Sequence, residues 1–342
     1  MILTRVVKHH MNFTSELKKA KLIAEYAISQ PNYMFSSKEV KHIGLKSVLA
    51  NQVMKKYGRD KRARIIKSMV LPIPRQGFKY ENEEIYIPSL KVRIQYHTDY
   101  DILSLELSRD KLYVIQEVPE LPAYESTTMI GVDLNSTSYV AVSADLCTGK
   151  VKKLGRNLPH IRKKYKNLRR KMQAKNRFGV LKRLNNKEQR VKKDAEHKIS
   201  RSLVNAAYES KASLVLEDLK GIRRQKTWLS KASNDVLHSW PFYSLQQKIE
   251  YKAKLLGVPV FYINPYNTSA TCSRCGSVGD RDGKKFKCSC GHIDHADSNA
   301  AFNIAKLGLS LSSSADKERS TDTRKRQRGS RNCPSTQEPQ VL

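Results

Sequence analysis

The sequence predicts an α/β fold over residues 128–309, a mixed sheet flanked by helices, with a cysteine knuckle inserted before the last helix. Three observations predict it. Apolar strand-like runs alternate with amphipathic helical stretches from Thr128 onward. Four cysteines crowd between positions 272 and 290. Three acids, Asp133, Glu217 and Asp297, each stand where an apolar run meets a loop.

Taken in order, residues 1–127 mix helix and strand. Helical periodicity covers about 14–30 and 37–68, with Thr14 and Ser36 or Ser37 as capping residues. Alternating runs such as LKVRIQYH (90–97) and KLYVIQEV (111–118) read as antiparallel strands. No catalytic pattern shows here, and we read 1–127 as a strand-rich module with a helical insertion at about 14–68. From 128, TMIGVDLN is a strand, Asn135-Ser136 begins a turn, TSYVAVS returns, and VKKLG (151–155) is a candidate third strand. Residues 156–210 are helical, with Asn176-Arg177-Phe178-Gly179 joining two helices. ASLVLEDL (212–219) has the make-up of a strand buried on both faces. Phe242, Leu245, Ile249, Ala253 and Leu256 mark an amphipathic helix stopped by Gly257. VPVFYI (258–263) is another buried strand, and SNAAFNIAKLG (298–308) is a final helix. Residues 310–342 are Ser-, Lys- and Arg-rich, and a disordered basic tail is expected.

Charge narrows the partner. There are 64 Lys+Arg against 32 Asp+Glu, a net charge of +32. Such an excess repels itself unless a polyanion neutralises it, and nucleic acid is the usual one. A membrane surface is the rival, weakened because no apolar stretch approaches the ~18 residues of a spanning helix. The opening MILTRVVKHHMNF has no apolar signal region, so a cytoplasmic location beside DNA is expected. The excess is concentrated: Lys152 to Lys193 holds 18 Lys/Arg and one acid, Glu188. A merely solvated helix mixes signs to gain i,i+4 pairs, and this one forgoes them. Contact with a nucleic-acid backbone is expected there.

Cys272-Ser-Arg-Cys275 and Cys288-Ser-Cys290 are separated by twelve residues. Four thiolates at this spacing suit one tetrahedral, structural Zn²⁺, and Gly276 and Gly291 let the chain turn after each pair. His292 and His295 lie close enough in sequence for one to replace a cysteine as ligand. Cys147 and Cys333 are isolated, with no role assigned. A redox pair is the alternative, but that calls for a single Cys-x-x-Cys in a βαβ setting.

Singly, each acid has an ordinary explanation. Asp133 suits a turn with Asn135, Glu217 an exposed strand end, and Asp297 a helix cap. Together they suggest one sheet edge where acids converge. Converging carboxylates require a hard cation such as Mg²⁺ or Mn²⁺, and a pair of such ions clamps a phosphodiester.

At this point the sequence resembles a known family. GVDLN, LVLEDLKG, WPFYSLQQKIEYKAKLLGVPVFYINPYNTSATCSRCG and FKCSCGHIDHADSNAAFNIA are similar to the signature blocks of TnpB. This is the insertion-sequence protein long labelled a transposase and related to type V CRISPR effectors. The resemblance is dense over about 128–306, weak over 1–127 and absent from the tail. It implies an RNase H-like (RuvC) nuclease domain over 128–309, with a zinc ribbon at 268–295 and a basic helical insertion at 156–210 lining a heteroduplex channel. Asp133, Glu217 and Asp297 match the three RuvC acids, ahead of their neighbours Asp218 and Asp294. Residues 1–127 would be a wedge-like β-barrel with a helical recognition insertion. The implied partners are a guide RNA and target DNA, with no membrane or small-molecule substrate. The implied cofactors are one Zn²⁺ and two Mg²⁺ or Mn²⁺. Many relatives carry Cys-x-x-Cys where this chain has Cys288-Ser-Cys290. Two rivals remain, a strand-transferring DNA transposase and a zinc-ribbon nucleic-acid-binding regulator.

Overall fold

The computed structural model describes residues 1–30, 36–59, 65–66, 68–126, 128–135, 138–219 and 242–320, with side chains as far as 311. Ser136 of the expected turn, residues 220–241, Cys333 and the tail beyond 320 lie outside them. The chain divides into two compact units, Met1–Pro119 and Glu120–Leu342.

The first unit holds strands β1 (Ile2–Lys8), β2 (Leu71–Pro74), β3 (Lys79–Glu81), β4 (Glu84–Ile87), β5 (Val92–Gln95), β6 (Ile102–Leu107) and β7 (Lys111–Glu117). They form an antiparallel four-stranded sheet, β1-β7-β6-β2, and a three-stranded meander, β3-β4-β5. Helices α1 (Thr14–Ser29) and α2 (Ser47–Tyr57) fall between β1 and β2. The second helical stretch is much shorter than its periodicity predicts. Gly44 adopts the left-handed conformation at φ 74 and ends a short 3-10 turn before α2 begins. The expected caps differ as well. Thr14 donates to Asn12 Oδ1, and the backbone N–H of Ser36 donates to Glu39, closing a turn rather than starting a helix.

The second unit is built on the mixed sheet the sequence predicts. Strands β8 (Thr128–Leu134), β9 (Ala141–Asp145), β10 (Val151–Leu154), β11 (Ala212–Glu217) and β12 (Val260–Ile263) are arranged β10-β9-β8-β11-β12. The first three pair antiparallel, while β8–β11 and β11–β12 pair parallel. The return strand β9 starts at Ala141, four residues later than expected, with Ser138 in the left-handed region at φ 61 ahead of it. Helices α3 (Leu158–Ala174), α4 (Phe178–Glu209), α5 (Phe242–Leu256) and α6 (Ala296–Ser320) complete the unit, with a small antiparallel sheet of β13 (Asp280–Asp282), β14 (Lys285–Lys287) and β15 (Ile293–His295).

Residue parity sorts the core into two layers, because successive strand side chains point to opposite faces. Ile130, Val132, Leu134, Leu214 and Leu216 meet α4 and α5 through Ile199, Leu203, Leu245 and Ile249. Met129 and Val215 meet α6 through Ile304 and Ala305. Each such fully buried aliphatic side chain contributes about 1.5–3 kcal/mol. Gly131 lets α6 approach: a Cβ there would collide with the Ala301 carbonyl and the Ala305 backbone nitrogen. Gly308 does the same against Val215, so this glycine is a packing surface and not a stop. The helix accordingly runs to Ser320, into the expected tail.

Candidate metal centres and nucleic-acid interface

Parity and register place the first two acids. Leu216 pairs with Val132 across the parallel β8–β11 ladder, so the next residues, Glu217 and Asp133, lie side by side at the carboxyl ends of these strands. Both share the parity of Gly131 and Val215, and so face α6. Asp297 sits in the first turn of that helix, where the helix dipole favours a carboxylate. All three acids are buried, Asp133 at 8%, Glu217 at 9% and Asp297 at 1% exposed.

Electrostatics couples them. Burial first, then the charges of Glu217 and Asp297, push the Asp133 carboxyl up to about 7. The hydrogen bond from Asn135 Nδ2 to Asp133 Oδ2, 2.6 Å, opposes that rise. Burial also raises Glu217, opposed by Thr268, whose hydroxyl donates to Glu217 Oε1 at 2.6 Å. Gln246 of α5 donates to the Glu217 carbonyl at 2.8 Å and fixes the strand end. At Asp297, Lys284 Nζ donates to both oxygens at 2.9 and 2.7 Å, and Arg281 stands 3.5 Å away. The neighbouring acids play other parts. Asp218 donates its backbone N–H to Ile263, and Asp294 accepts from the His295 backbone.

Oxygen-only donors from three elements suit a hard divalent ion. His295 Nδ1 adds a buried nitrogen with no hydrogen-bond partner, 3.9 Å from Asp297 Oδ2. The three carboxylates do not close to within 4.8 Å of one another, as the cysteine sulfurs do. Asn135, Thr268 and Lys284 hold one carboxylate each.

The four cysteines are already assembled. Their sulfurs all lie within 4.8 Å of one another, with Cys272–Cys290 at 3.8 Å and Cys275–Cys288 at 3.5 Å. A tetrahedral ion with Zn–S of ~2.3 Å requires S–S separations of about 3.8 Å, so the donor set fits one. His292 stands behind the quartet, Nδ1 3.3 Å from Cys272 Sγ, and the Arg274 N–H also points at that sulfur, at 3.4 Å. These are the outer contacts that orient a thiolate ligand. Backbone and side-chain hydrogen bonds from Ser277 pull the Cys275 thiol down to about 6. Helix α6 ties the two centres together. Asn299 accepts from the Ser273 N–H and donates to the Thr271 carbonyl, and Asn303 donates to the carbonyls of Thr268 and Thr271. One loop therefore carries both Cys272 and the hydroxyl that holds Glu217.

The basic stretch forms a helical hairpin, α3 and α4, with Asn176 at φ 53 in its corner. Glu188, the one acid between Lys152 and Lys193, is buried at 4% exposure and pairs with Arg169 and with Lys192, an i,i+4 pair that the sequence reading did not expect. Exposed cations including Lys163, Lys164, Arg170, Lys182, Arg183 and Arg190 cover the remainder.

Thr268, Gln246, Arg281 and Lys284 were not among the predicted site residues. Thr268 lies within NTSATC beside the first cysteine pair, and Lys284 sits in a charged turn that carries no pattern. Among the described residues no helix is long and apolar enough to cross a membrane.

Comparison with known proteins agrees with the signature blocks. Residues 242–304 match the Cas12f1-like, TNB domain family. A TnpB-like protein of Methanocaldococcus jannaschii is 36% identical over 143 residues, which are 41% of this chain and 51% of the relative. A CRISPR-associated endodeoxyribonuclease Cas12f1 of Sulfoacidibacillus thermotolerans is 38% identical over 134 residues, 38% of this chain and 30% of the relative. The chain thus spans about half of the first relative's length and under a third of the second's. A solved Cas12f1–sgRNA–target DNA complex aligns with 90% of this chain and all of that chain, at 19% identity and a TM-score of 0.46. The TnpB resemblance read from the sequence is borne out by the family match and by the two sequence relatives.

Proposed function

We propose that this chain, kin to TnpB-like proteins and to Cas12f nucleases, is an RNA-guided DNA endonuclease with one RuvC-type site made by Asp133, Glu217 and Asp297. One observation carries the reading: two acids side by side at the ends of parallel strands, both facing the helix that bears the third, whose charge is felt at Asp133. Buried carboxylates in mutual repulsion are a cost to a fold unless a cation is to join them.

In this reading, two Mg²⁺ or Mn²⁺ ions bound at the site would activate water and stabilise the leaving 3′ oxygen. Asp133, Glu217 and Asp297 supply the ligand oxygens. Asn135 and Thr268 each hold one oxygen of their carboxylate and leave the other for an ion. Cys272, Cys275, Cys288 and Cys290 hold a structural Zn²⁺, which fixes the loop that orients Glu217. The α3–α4 hairpin grips nucleic-acid backbone, where base pairing with a guide RNA reads the target sequence. The strand-rich first unit serves as the wedge module with its helical insertion. The activity belongs in the cytoplasm, with the DNA, and needs neither membrane nor small-molecule substrate.

The test is RNA sequencing of what co-purifies with the protein, followed by plasmid cleavage with and without Mg²⁺. One abundant RNA with a constant scaffold and a variable end, and hydrolysed 5′-phosphate ends dependent on that RNA, are expected. Joined strands would indicate a transposase proper. Binding without any cleavage would leave a zinc-ribbon regulator.

A further inference from the structure

Resting on the carboxylate cluster as the metal site, we propose that Lys284 is its resident counter-cation, which an incoming divalent ion must displace from Asp297. The ammonium takes both oxygens of a carboxylate that is 1% exposed. Its charge also reaches Asp133, where it opposes the two neighbouring acids. One cation thus serves two of the three acids, as a metal ion would.

The backbone beneath this side chain is fixed. Ala296 donates its N–H to the Lys284 carbonyl at 2.9 Å, and the next residue, Lys285, pairs with His295 across β14–β15. The tip is held through Asp297, and the Lys284 side chain, 32% exposed, also reaches water. The exchange balances simply. An ammonium leaves two carboxylate oxygens and a divalent ion takes them, with no proton or electron transferred. Because Lys284 lies in the β13–β14 turn beside the cysteine knuckle, that small sheet sets how much divalent metal the nuclease site requires. Arg281, 3.5 Å from the same carboxylate and 35% exposed, is the weaker second cation.

The probe is Mn²⁺, titrated calorimetrically into the full chain without nucleic acid. Lys284→Gln removes the competitor and should bind Mn²⁺ roughly tenfold tighter than the unsubstituted protein, while Lys284→Arg, which keeps a cation, should bind no tighter. Equal or weaker binding by Lys284→Gln overturns the proposal. A second measurement avoids any folding defect of the variants. Acetylation of Lys284 in the unsubstituted protein, followed by mass spectrometry, should accelerate several-fold at saturating Mn²⁺ as the ammonium is released. A rate indifferent to Mn²⁺ overturns the proposal as well. Asp133→Asn separates the two levels. If no Mn²⁺ binding depends on Asp133, the nuclease-site reading itself fails. If binding depends on Asp133 but ignores Lys284, only the counter-cation fails.

Discussion

The cysteine cluster and the carboxylate cluster both bring together side chains of metal-ligand type, in different surroundings. The sulfurs of Cys272, Cys275, Cys288 and Cys290 lie within 4.8 Å of one another, with His292 Nδ1 and the Arg274 N–H against Cys272. Asp133, Glu217 and Asp297 repel as they approach. Each meets a different donor, an amide, a hydroxyl and an ammonium, from Asn135, Thr268 and Lys284. The difference bears on the kind of ion each set suits. A closed set of four sulfurs suits a permanent ion that supports the fold. An oxygen set whose members also meet protein donors suits ions that come and go with a substrate.

The largest effect that would break this contrast is on catalysis. Asp133→Ala removes a ligand oxygen and should lower plasmid cleavage by ~10³-fold or more while leaving RNA and DNA binding in place, measured by gel shift beside the cleavage assay. Unchanged cleavage would remove Asp133 from the site. Next comes the knuckle. Cys288→Ser should abolish stoichiometric zinc, read by metal analysis, and lower cleavage by ~10²-fold, because the loop that holds Glu217 loses its anchor. Full activity without zinc would separate the two centres.

The third prediction concerns stability. Asp133 has a folded-state pKa raised from 3.8 to about 7, so the folded protein holds this proton more tightly than the unfolded chain. The associated stability is full below pH 3.8 and is lost as pH rises through about 7. Above that the metal-free site costs on the order of 4 kcal/mol. Asp133→Asn cannot ionise, so the metal-free variant should exceed the unsubstituted protein in stability at pH 8, with the gap closing towards pH 4. Denaturant midpoints at the two pH values measure it, and a gap that widens on acidification contradicts the coupling. The smallest effect is at the link between the centres. Thr268→Val should weaken Mn²⁺ binding about three- to tenfold, with zinc content unchanged, because Glu217 loses the donor that orients it.

Much of this was legible in the sequence. The mixed sheet followed from strand-like runs broken by helical periodicity, and the cysteine spacing announced the knuckle. The three acids were singled out by their position at the ends of apolar runs, and the register of β8 and β11 brings two of them side by side. Reading Gly308 as the end of α6 failed, because whether a glycine stops a helix or admits a neighbour depends on what packs there, here Val215. The long second helix failed at Gly44 for the converse reason, a positive φ that periodicity does not reveal. Thr268 and Lys284 were invisible because their roles arise from contacts across 51 and 13 residues of chain. A hydroxyl and an amine have no period, and only the fold shows which carboxylate each one meets.

The most direct test of the central claim is a crystal of the full chain soaked in Mn²⁺ and measured for anomalous scattering. The expected result is manganese bound among Asp133, Glu217 and Asp297, with those carboxylates drawn inward and Lys284 turned away. Crystals that bind manganese elsewhere, or leave the three acids apart and Lys284 still on Asp297, would contradict it.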